Sequence, residues 1–320
     1  MKHLLLFLVI GACSLSAEEE NLRDDYSQRA ARYYELEDYT RAQQQATRGL
    51  EVDPKDGILN FVLGRTLIKK GDLSSVAAAR KPLEIAHKAL DNHRTAYSLC
   101  EYHLRYAEFL QGESTLLAIR AADLPESDAF DRAELETRSK RTRETSQAHL
   151  QKALGYIGAT LEQQPDWIFA LQHQASVYAL LNKEVEAFAT IAHLCQVLQK
   201  SRKHKNQRLL LQELPATQEN QIRRDLLLDI EWEIAARGLA ATLHMNQKNW
   251  VAADAELTKL LLLDPHRVAE YYNRGLCRQY LGRYALAAAD MQVFLGRTPL
   301  GIDSLEVDRA LTIVANYRSQ

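Results

Sequence analysis

Histidines, cysteines and paired carboxylates, the side chains that most often do chemistry, are present but spread along the chain. The ten histidines are scattered, and His93 and His103 are not at the ligand spacing of one helix face; the same holds for His193 and His204. The acidic residues from Glu18 to Glu20 lie in a charged run without an acid–base signature. We therefore expect no catalytic residue, no metal site and no cofactor.

The sequence also lacks the short motifs of the common enzyme classes. It has no G-x-x-x-x-G-K phosphate loop, no G-x-G-x-x-G after a strand and no H-E-x-x-H, C-x-x-C or G-x-S-x-G segment. An enzyme that uses residues of an inserted segment is thus the weakest class of function considered. A buried histidine and carboxylate bonded to each other in a cleft would revive it.

Two basic runs, Arg138 to Arg143 and Lys200 to Arg208, interrupt an otherwise balanced chain. The formal net charge is −2, whereas nucleic-acid binding needs a clear basic excess. Neither run contains aromatic residues that could stack on bases. We interpret both runs as solvated links between helices and expect no nucleic-acid partner. Contact with phosphate or with an acidic partner remains the alternative.

Besides Cys13, three cysteines are far apart, and each lies within a helical pattern: Cys100, Cys195 and Cys277. Buried thiols that act as small apolar side chains are the simplest interpretation. A disulfide between two of the three remains open in an oxidising compartment, and the sequence does not select the pair.

The apolar residues of the last hundred positions recur at helical spacing, and this spacing is interrupted at regular intervals. Pro265 and Pro299 are 34 residues apart, and Gly282 lies between two apolar stretches of helical period. This arrangement predicts two antiparallel helices joined by a short turn. Gly275 and Ala287 are small, which allows the two helix backbones to cross closely. With only seven prolines and thirteen glycines in 320 residues, the whole chain is predicted to be helical.

This stretch resembles the tetratricopeptide repeat, a 34-residue helical hairpin. The matching features are the segments YYNRGL and LGRY, followed by Ala287, Met291 and Pro299. The preceding segment, Asn249 to Pro265, resembles the second half of the same repeat. The resemblance implies an all-α, right-handed superhelical solenoid of about five to six hairpins. Residues 303 to 317 are predicted to form the C-terminal capping helix that such a solenoid needs.

The predicted organisation has several parts. Residues 23–199 are N-terminal repeats with an insertion near 112–145, which we expect to contain a loop around Pro125 and to lead into a long second helix. Residues 200–221 are a charged linker. Residues 222–320 hold the C-terminal repeats and the capping helix.

Stacked hairpins leave a groove lined by their first helices, and such grooves bind extended or helical peptides. In the last two repeats, one stripe of residues is expected to face this groove with an aromatic, a thioether and amide groups. Its members are Thr242, Met245, Tyr272, Asn273, Leu276, Gln279 and Tyr280. The alternative is that Tyr272 and Leu276 pack against the capping helix.

The first residues predict an export signal. A short basic start is followed by the apolar run Leu4 to Ile10, too short to span a bilayer as a helix. Ile10-Gly11-Ala12-Cys13 resembles the bacterial lipoprotein cleavage box. By that resemblance residues 1–12 are a signal peptide, Cys13 is lipidated, and residues 13–22 form a tether on the periplasmic side of the outer membrane. The alternatives are cleavage after Ala17, which gives a secreted or soluble periplasmic protein, and a cytosolic chain.

These features favour a non-catalytic, membrane-anchored scaffold of the bacterial cell envelope that binds a protein or peptide partner. The alternative is an accessory component of a transporter or secretion system that handles a small ligand. The sequence does not identify the partner or the oligomeric state.

Overall fold

The computed structural model describes residues 17–211, 213–298 and 304–318. The predictions on Cys13, on the signal peptide of residues 1–12 and on Pro299 therefore lie outside the described residues. Within the described segments there are thirteen α-helices, one 3-10 turn at Glu126–Asp128 and no strand. The helices are α1 (Ala17–Glu35), α2 (Tyr39–Val52), α3 (Gly57–Lys70), α4 (Leu73–Leu90), α5 (His93–Asp123), α6 (Ala129–Gln163), α7 (Ile168–Leu180), α8 (Glu184–Leu211), α9 (Ala216–Asn246), α10 (Trp250–Leu263), α11 (Val268–Tyr280), α12 (Tyr284–Arg297) and α13 (Leu305–Arg318).

Among the described residues, five pairs of consecutive helices pack as hairpins within the two units: α1–α2, α3–α4, α5–α6, α9–α10 and α11–α12. Helix α13 packs on the last of them. The prediction of an all-α solenoid of helical hairpins is confirmed. The chain divides into two compact units, residues 1–173 and 174–320, with the division inside α7. Each unit is described separately below.

Short polar side chains begin many of the second helices. The Asp38 carboxylate accepts a hydrogen bond from the Arg41 amide at 3.0 Å and begins α2. Asp72 accepts one from the Ser75 amide at 2.9 Å and begins α4. Each of these bonds satisfies an amide that lacks a partner in the first turn of a helix. Because the caps fix where each second helix starts, they also fix the short turns of the hairpins.

The core of unit 1 is built from small and branched apolar residues where the helices cross. Gly64 of α3 faces Leu83 of α4, and a Cβ added to Gly64 would lie 2.5 Å from the Leu83 Cγ and Cδ2 atoms. The α3–α4 hairpin and α5 enclose one buried cluster. Its members are Leu67, Ile68, Val76, Ala79, Leu83, Leu99 and Tyr102.

The segment predicted to be an insertion with a loop is helical over most of its length. Residues 112–123 continue α5, residues 129–145 belong to α6, and only residues 124–128 interrupt the two helices. The loop around Pro125 is limited to residues 124–128, because Pro125 breaks the helix locally while the residues on both sides are good helix formers. Serines close the contact between the helices: the Ser114 hydroxyl donates to the Ser139 carbonyl at 2.9 Å, and the Ser139 hydroxyl donates to the Ser114 carbonyl at 2.8 Å.

The segment predicted to be a charged linker, residues 200–221, is also mostly helical. Residues 200–211 are the end of α8, and residues 216–221 are the start of α9. The linker prediction is wrong because this part of α8 contains no Pro or Gly, and two of its basic side chains, Arg202 and Lys205, have acidic partners on α9. The Lys205 ammonium lies 2.7 Å from the Asp229 carboxylate, and Arg202 is paired with Glu233.

In the described residues of unit 2, apolar clusters join consecutive helices. One joins Ala241 of α9 to Ala253 and Leu257 of α10. The next lies between α9 and α10 and includes Ile234, Leu260 and Leu261. The last joins α11, α12 and α13 through Leu276, Ala287, Met291, Ala310, Ile313 and Val314. The predicted capping helix is thus present as α13, which covers the apolar side of the last hairpin.

Cys100, Cys195 and Cys277 are free and buried, so none of the three forms a disulfide. Burial raises the pKa of each thiol, in the case of Cys277 to about 11. None of the helices in the described segments is both long and apolar enough to span a membrane.

Candidate peptide-binding surface

The predicted C-terminal groove is partly filled by the protein itself. Leu276 is only 9% exposed and belongs to the cluster with Ile313 and Val314 of α13. Tyr272 packs against the same cluster, and its ring lies 5.2 Å from the ring of Phe294. The prediction of Tyr272 and Leu276 as open groove residues is wrong. The capping helix packs on the apolar residues of the α11–α12 hairpin and covers them.

Two other predicted groove residues form part of an aromatic contact between hairpins. Met245 packs on the α9–α10 cluster beside Trp250. The ring of Tyr280 stacks on Trp250 at a centroid distance of 4.3 Å, and its hydroxyl accepts a hydrogen bond from Arg309 at 3.1 Å. One side of the Tyr280 ring is therefore already in contact, although the residue is 54% exposed.

The three polar residues of the predicted groove either have hydrogen-bond partners on their own helix or are partly buried. The Thr242 hydroxyl is exposed and donates to the Gly238 carbonyl at 3.0 Å. The Asn273 amide donates to the Glu270 carboxylate at 3.0 Å, and Gln279 is half-buried. Of the seven predicted residues, only Thr242 and Tyr280 are exposed, so the structure does not bring the set together as one open surface.

A second surface, in unit 1, brings polar side chains of successive first helices together. Arg65 of α3 is paired with Glu101 of α5. The Arg65 Nε atom donates to the Tyr34 hydroxyl of α1 at 3.3 Å. Lys69, one turn after Arg65, lies 3.7 Å from the other Glu101 oxygen. We call the set Tyr34, Arg65, Lys69, Tyr97, Glu101, Arg105 and His173 the first-helix surface.

Aromatic rings continue this surface from α5 to α7. The Tyr97 ring stacks on His173 at 5.3 Å and lies 4.7 Å from the ring of Trp167. The Arg65 guanidinium lies 5.9 Å from the centre of the Tyr97 ring, within the range of a cation–π contact. His93 meets the edge of Trp167 at 5.3 Å. These rings hold the polar groups in fixed positions.

The charge state of the surface follows from burial and from the ion pair. Burial acts to raise the pKa of Glu101, but Arg65 and then Lys69 outweigh this effect, and the pKa lies below its ordinary value. Burial lowers the pKa of His173 to about 4, against the opposite effect of Glu101. At neutral pH, Glu101 is therefore an anion, His173 is neutral, and the His173 Nδ1 atom has no hydrogen-bond partner.

The accessible charges of this surface are positive. The side chains of Lys69 and Arg105 are 40% and 57% exposed, whereas that of Glu101 is 7% exposed. Arg105 has one exposed partner, Glu108, at 3.5 Å. A carboxylate of a bound segment would therefore meet two exposed cations beside a fixed ion pair. Such charge-assisted bonds are stronger than those between neutral groups.

Sequence reasoning missed this surface because its members are 31 and 36 residues apart. A signal was nevertheless present: Arg65 and Lys69 are four residues apart, as are Glu101 and Arg105, and each pair lies on the first helix of a predicted hairpin. Only the stacking of one hairpin on the next brings the two pairs together.

Unit 2 contains an ionic network that the sequence analysis also missed. Asp290 of α12 accepts hydrogen bonds from Arg274 at 2.7 and 3.0 Å and from Arg278 at 2.8 Å. Arg278 and Arg283 both donate to Asp254 of α10 at 2.9 Å. The network joins α10, α11 and α12 and leaves Asp290 only 3% exposed. We interpret it as structural because its charges are paired with one another.

No group of three or more His, Cys, Asp or Glu residues within the described segments is placed to hold a metal ion. The Nδ1 atoms of His103 and His149 lie 3.0 Å apart, so one donates to the other. Burial lowers the pKa of His103 to about 3. The pair is surrounded by the rings of Tyr102, Tyr106 and Tyr156.

Comparison with known proteins agrees with this architecture. The tetratricopeptide-repeat family model matches residues 241–312. A tetratricopeptide repeat protein from Parabacteroides merdae ATCC 43184 has a similar fold, with a TM-score of 0.50, 12% identity and coverage of 93% of this chain and 88% of that one. PilW, a type IV pilus biogenesis factor, is similar with a TM-score of 0.50, 15% identity and coverage of 91% and 98%. None of the curated proteins matches the chain by sequence.

The two solved structures support the fold alone, since their identities are low. The family model covers the last two repeats, where the sequence pattern is clearest. The described residues before 241 are helical as well, although α5 and α6 are much longer than α11 and α12. The chain thus contains tetratricopeptide repeats at residues 241–312 and has the all-helical fold of tetratricopeptide-repeat proteins.

Proposed function

We propose that the protein is a non-catalytic adaptor of the bacterial cell envelope that binds an acidic segment of a partner protein on the first-helix surface. A tetratricopeptide-repeat fold indicates a protein–protein interaction scaffold. The observation that carries the choice of surface is the pair of exposed cations, Lys69 and Arg105, each one helical turn after a member of the buried Arg65–Glu101 pair.

The rigidity of this surface supports binding. Arg65, Glu101 and Tyr97 are held by ion pairing and ring contacts, so little side-chain entropy is lost when a partner binds. The exposed ammonium and guanidinium groups can each donate several hydrogen bonds to carboxylates or backbone carbonyls. Tyr97 and His173 are already stacked, so the partner is expected to lie across the cations rather than between the rings.

Site-specific photo-crosslinking in intact cells tests this assignment. A benzophenone amino acid at position 69 or 105 is expected to crosslink one protein that the same group at position 81 or 88 does not. Lys81 and Lys88 are exposed lysines of α4 and serve as matched controls. The double charge reversal Lys69→Glu with Arg105→Glu should abolish the crosslink from position 65 or 34. Equal crosslinking of the same protein from the control positions would refute the proposed surface.

The envelope address is proposed on Cys13, which lies outside the described residues. Its support is the apolar run before it and the sequence Ile10-Gly11-Ala12-Cys13. We expect the chain without substitutions to fractionate with membranes and to incorporate a fatty-acid label. The Cys13→Ser variant should not incorporate the label. A chain that incorporates no label would exclude the lipid anchor.

A further inference from the structure

Helix α8 contains a long stretch of sequence whose charged side chains are all positive. Between Glu186 and Glu213 there are 26 residues without an Asp or Glu, and five of them are Lys or Arg. Most of this stretch lies in α8, which ends at Leu211. A helix of this composition is typical of contact with an anionic surface. The proposed binding surface in unit 1 does not involve this helix.

The inward cations of α8 are already neutralised. Lys205 lies 2.7 Å from the Asp229 carboxylate, and the Ser201 hydroxyl donates to the same oxygen at 2.8 Å. Arg202 is paired with the buried Glu233. These contacts fix the orientation of the C-terminal half of α8 against α9.

The same orientation directs other basic side chains outward. Lys200, Lys203 and His204 are exposed, and no ion pair to a carboxylate is found for them among the described residues. Positions 200, 203 and 204 recur at helical spacing, so they lie along the side of α8 that faces away from α9. This side of the helix is therefore a strip of positive charge.

Two leucines end this strip. Leu210 and Leu211 are each 82% exposed, and they are the last two residues of α8. Exposed leucines singly are common on protein surfaces, but two adjacent ones at the tip of a basic hairpin form an apolar point. Exposed leucines beside lysines can enter the headgroup region of a bilayer, whereas a protein partner would need an apolar pocket to bury them.

We propose that the outer side and tip of α8 dock on an anionic phospholipid bilayer. Lys200 and Lys203 would lie among the phosphates, and Leu210 and Leu211 would enter the boundary between headgroups and acyl chains. This docking does not depend on Cys13. Nucleic acid fits less well because the strip has no aromatic residue for stacking, and an acidic protein would need an apolar pocket for both leucines.

A vesicle-binding assay tests the proposal with the chain that begins at residue 17, which keeps every described helix and lacks Cys13. Sedimentation with vesicles of phosphatidylcholine and phosphatidylglycerol at 3:1 is expected to bring the chain down. Vesicles of phosphatidylcholine alone should not, and 0.5 M NaCl should weaken binding by screening. Failure to bind the anionic vesicles at low salt would overturn the proposal.

Paired variants separate the two contributions. Lys200→Gln with Lys203→Gln should weaken binding by about 25-fold, as two lost cations near an anionic surface require. Leu210→Ser with Leu211→Ser should weaken it by at least about 10-fold. The matched controls are Lys81→Gln with Lys88→Gln, and Leu262→Ser at a leucine that is 80% exposed; neither should change binding.

Each remaining outcome is decisive once circular dichroism shows that the variants are folded. If the control variants lose as much binding as the test variants, the site is not α8. If the leucine pair has no effect, the contact is with charge alone and the insertion is refuted. If the chain binds an acidic protein more tightly than the vesicles, through the same lysines and leucines, the partner is a protein and the bilayer is excluded.

Discussion

At the scale of single residues, buried charges in this protein are shared between several partners. Asp290 accepts hydrogen bonds from both Arg274 and Arg278, and its position is 34 residues after Glu256, which accepts one from Arg237 at 2.8 Å. The same position of two consecutive second helices thus holds an acid that ties down an arginine of the preceding first helix. Removing Asp290 leaves Arg274 buried without a carboxylate partner, while Arg278 keeps only its bond to Asp254.

We predict that Asp290→Ala lowers the free energy of unfolding of unit 2 by about 3 kcal/mol, the usual cost of breaking a buried ion pair. Asp25→Ala is the control, since Asp25 pairs with Arg29 at 2.7 Å with both side chains about half exposed. That exposed pair should contribute less than about 1 kcal/mol. Urea unfolding measures both, and equal losses would show that burial does not matter here.

Buried neutral histidines make the stability of unit 1 depend on pH. Burial lowers the pKa of His103 to about 3 and that of His173 to about 4, against an ordinary value of 6.5. At pH values between these lowered pKa values and 6.5, the unfolded chain binds more protons than the folded chain. Stability is therefore complete above about pH 6.5 and falls as the pH decreases below it.

We predict that His103→Gln flattens this dependence between pH 6.5 and pH 4, because one group that must stay neutral is removed. Each such histidine contributes up to about 1.4 kcal/mol per pH unit in this window. Urea midpoints at several pH values measure the slope. His266→Gln, at an exposed histidine, is the control and should leave the slope unchanged. An unchanged slope in His103→Gln would contradict the prediction.

At the scale of helices, the hairpins depend on close approaches at glycines. A Cβ at Gly64 would meet the branched end of Leu83 at 2.5 Å and the Leu83 amide nitrogen at 3.4 Å. A Cβ at Gly275 would meet the Met291 methyl group at 2.8 Å, which is the flexible end of a long side chain. Gly155 of α6 has no neighbouring atom within 4 Å of an added Cβ.

Substitution of each glycine by alanine should therefore give three different results. Gly155→Ala should gain about 0.5 to 1 kcal/mol from helix propensity alone. Gly275→Ala should be close to neutral, because Met291 can move. Gly64→Ala should lose about 1 to 3 kcal/mol through overpacking. Thermal unfolding of the three variants measures the order, and a stabilised Gly64→Ala variant would contradict the packing at Leu83.

Hairpins whose apolar residues recur at helical spacing could be predicted from the sequence. Hairpins whose helices meet through polar side chains could not. Gly275 and Ala287 were predicted to lie where two helices cross, and both are buried there. The full length of α5 and α6 was missed because Ser114, Ser139 and Ser146 occupy the inner positions of this hairpin. A helix that is polar on both sides gives no periodic signal, although serine hydroxyls can satisfy the carbonyls of the facing helix.

At the scale of the whole molecule, the candidate site shows the limit of sequence reasoning more clearly than the fold does. The periodicity predicted that first helices line a surface, but it did not show which residues the capping helix would cover. Tyr272 and Leu276 were assigned to a groove and lie against α13. Arg65 and Glu101 were not assigned at all, because their pairing needs the stacking of two hairpins.

A stack of hairpins that contact only their neighbours is expected to respond locally to damage. We predict that Asp290→Ala increases amide hydrogen exchange in α10, α11 and α12, whose charges it disconnects, and leaves α1 to α4 unchanged. Exchange measured by mass spectrometry on peptides from the two units tests this expectation. A uniform increase along the chain would show that the molecule unfolds as one cooperative body.

The three free, buried thiols provide a way to measure how the native structure opens locally. Cys100, Cys195 and Cys277 lie in α5, α8 and α11, so no covalent cross-link restrains these layers. An alkylating reagent can reach each sulfur only after the surrounding layer has opened, since burial keeps the thiol protonated and out of contact. The rate at which each cysteine is labelled would therefore report how often the helices around that cysteine open in the native protein.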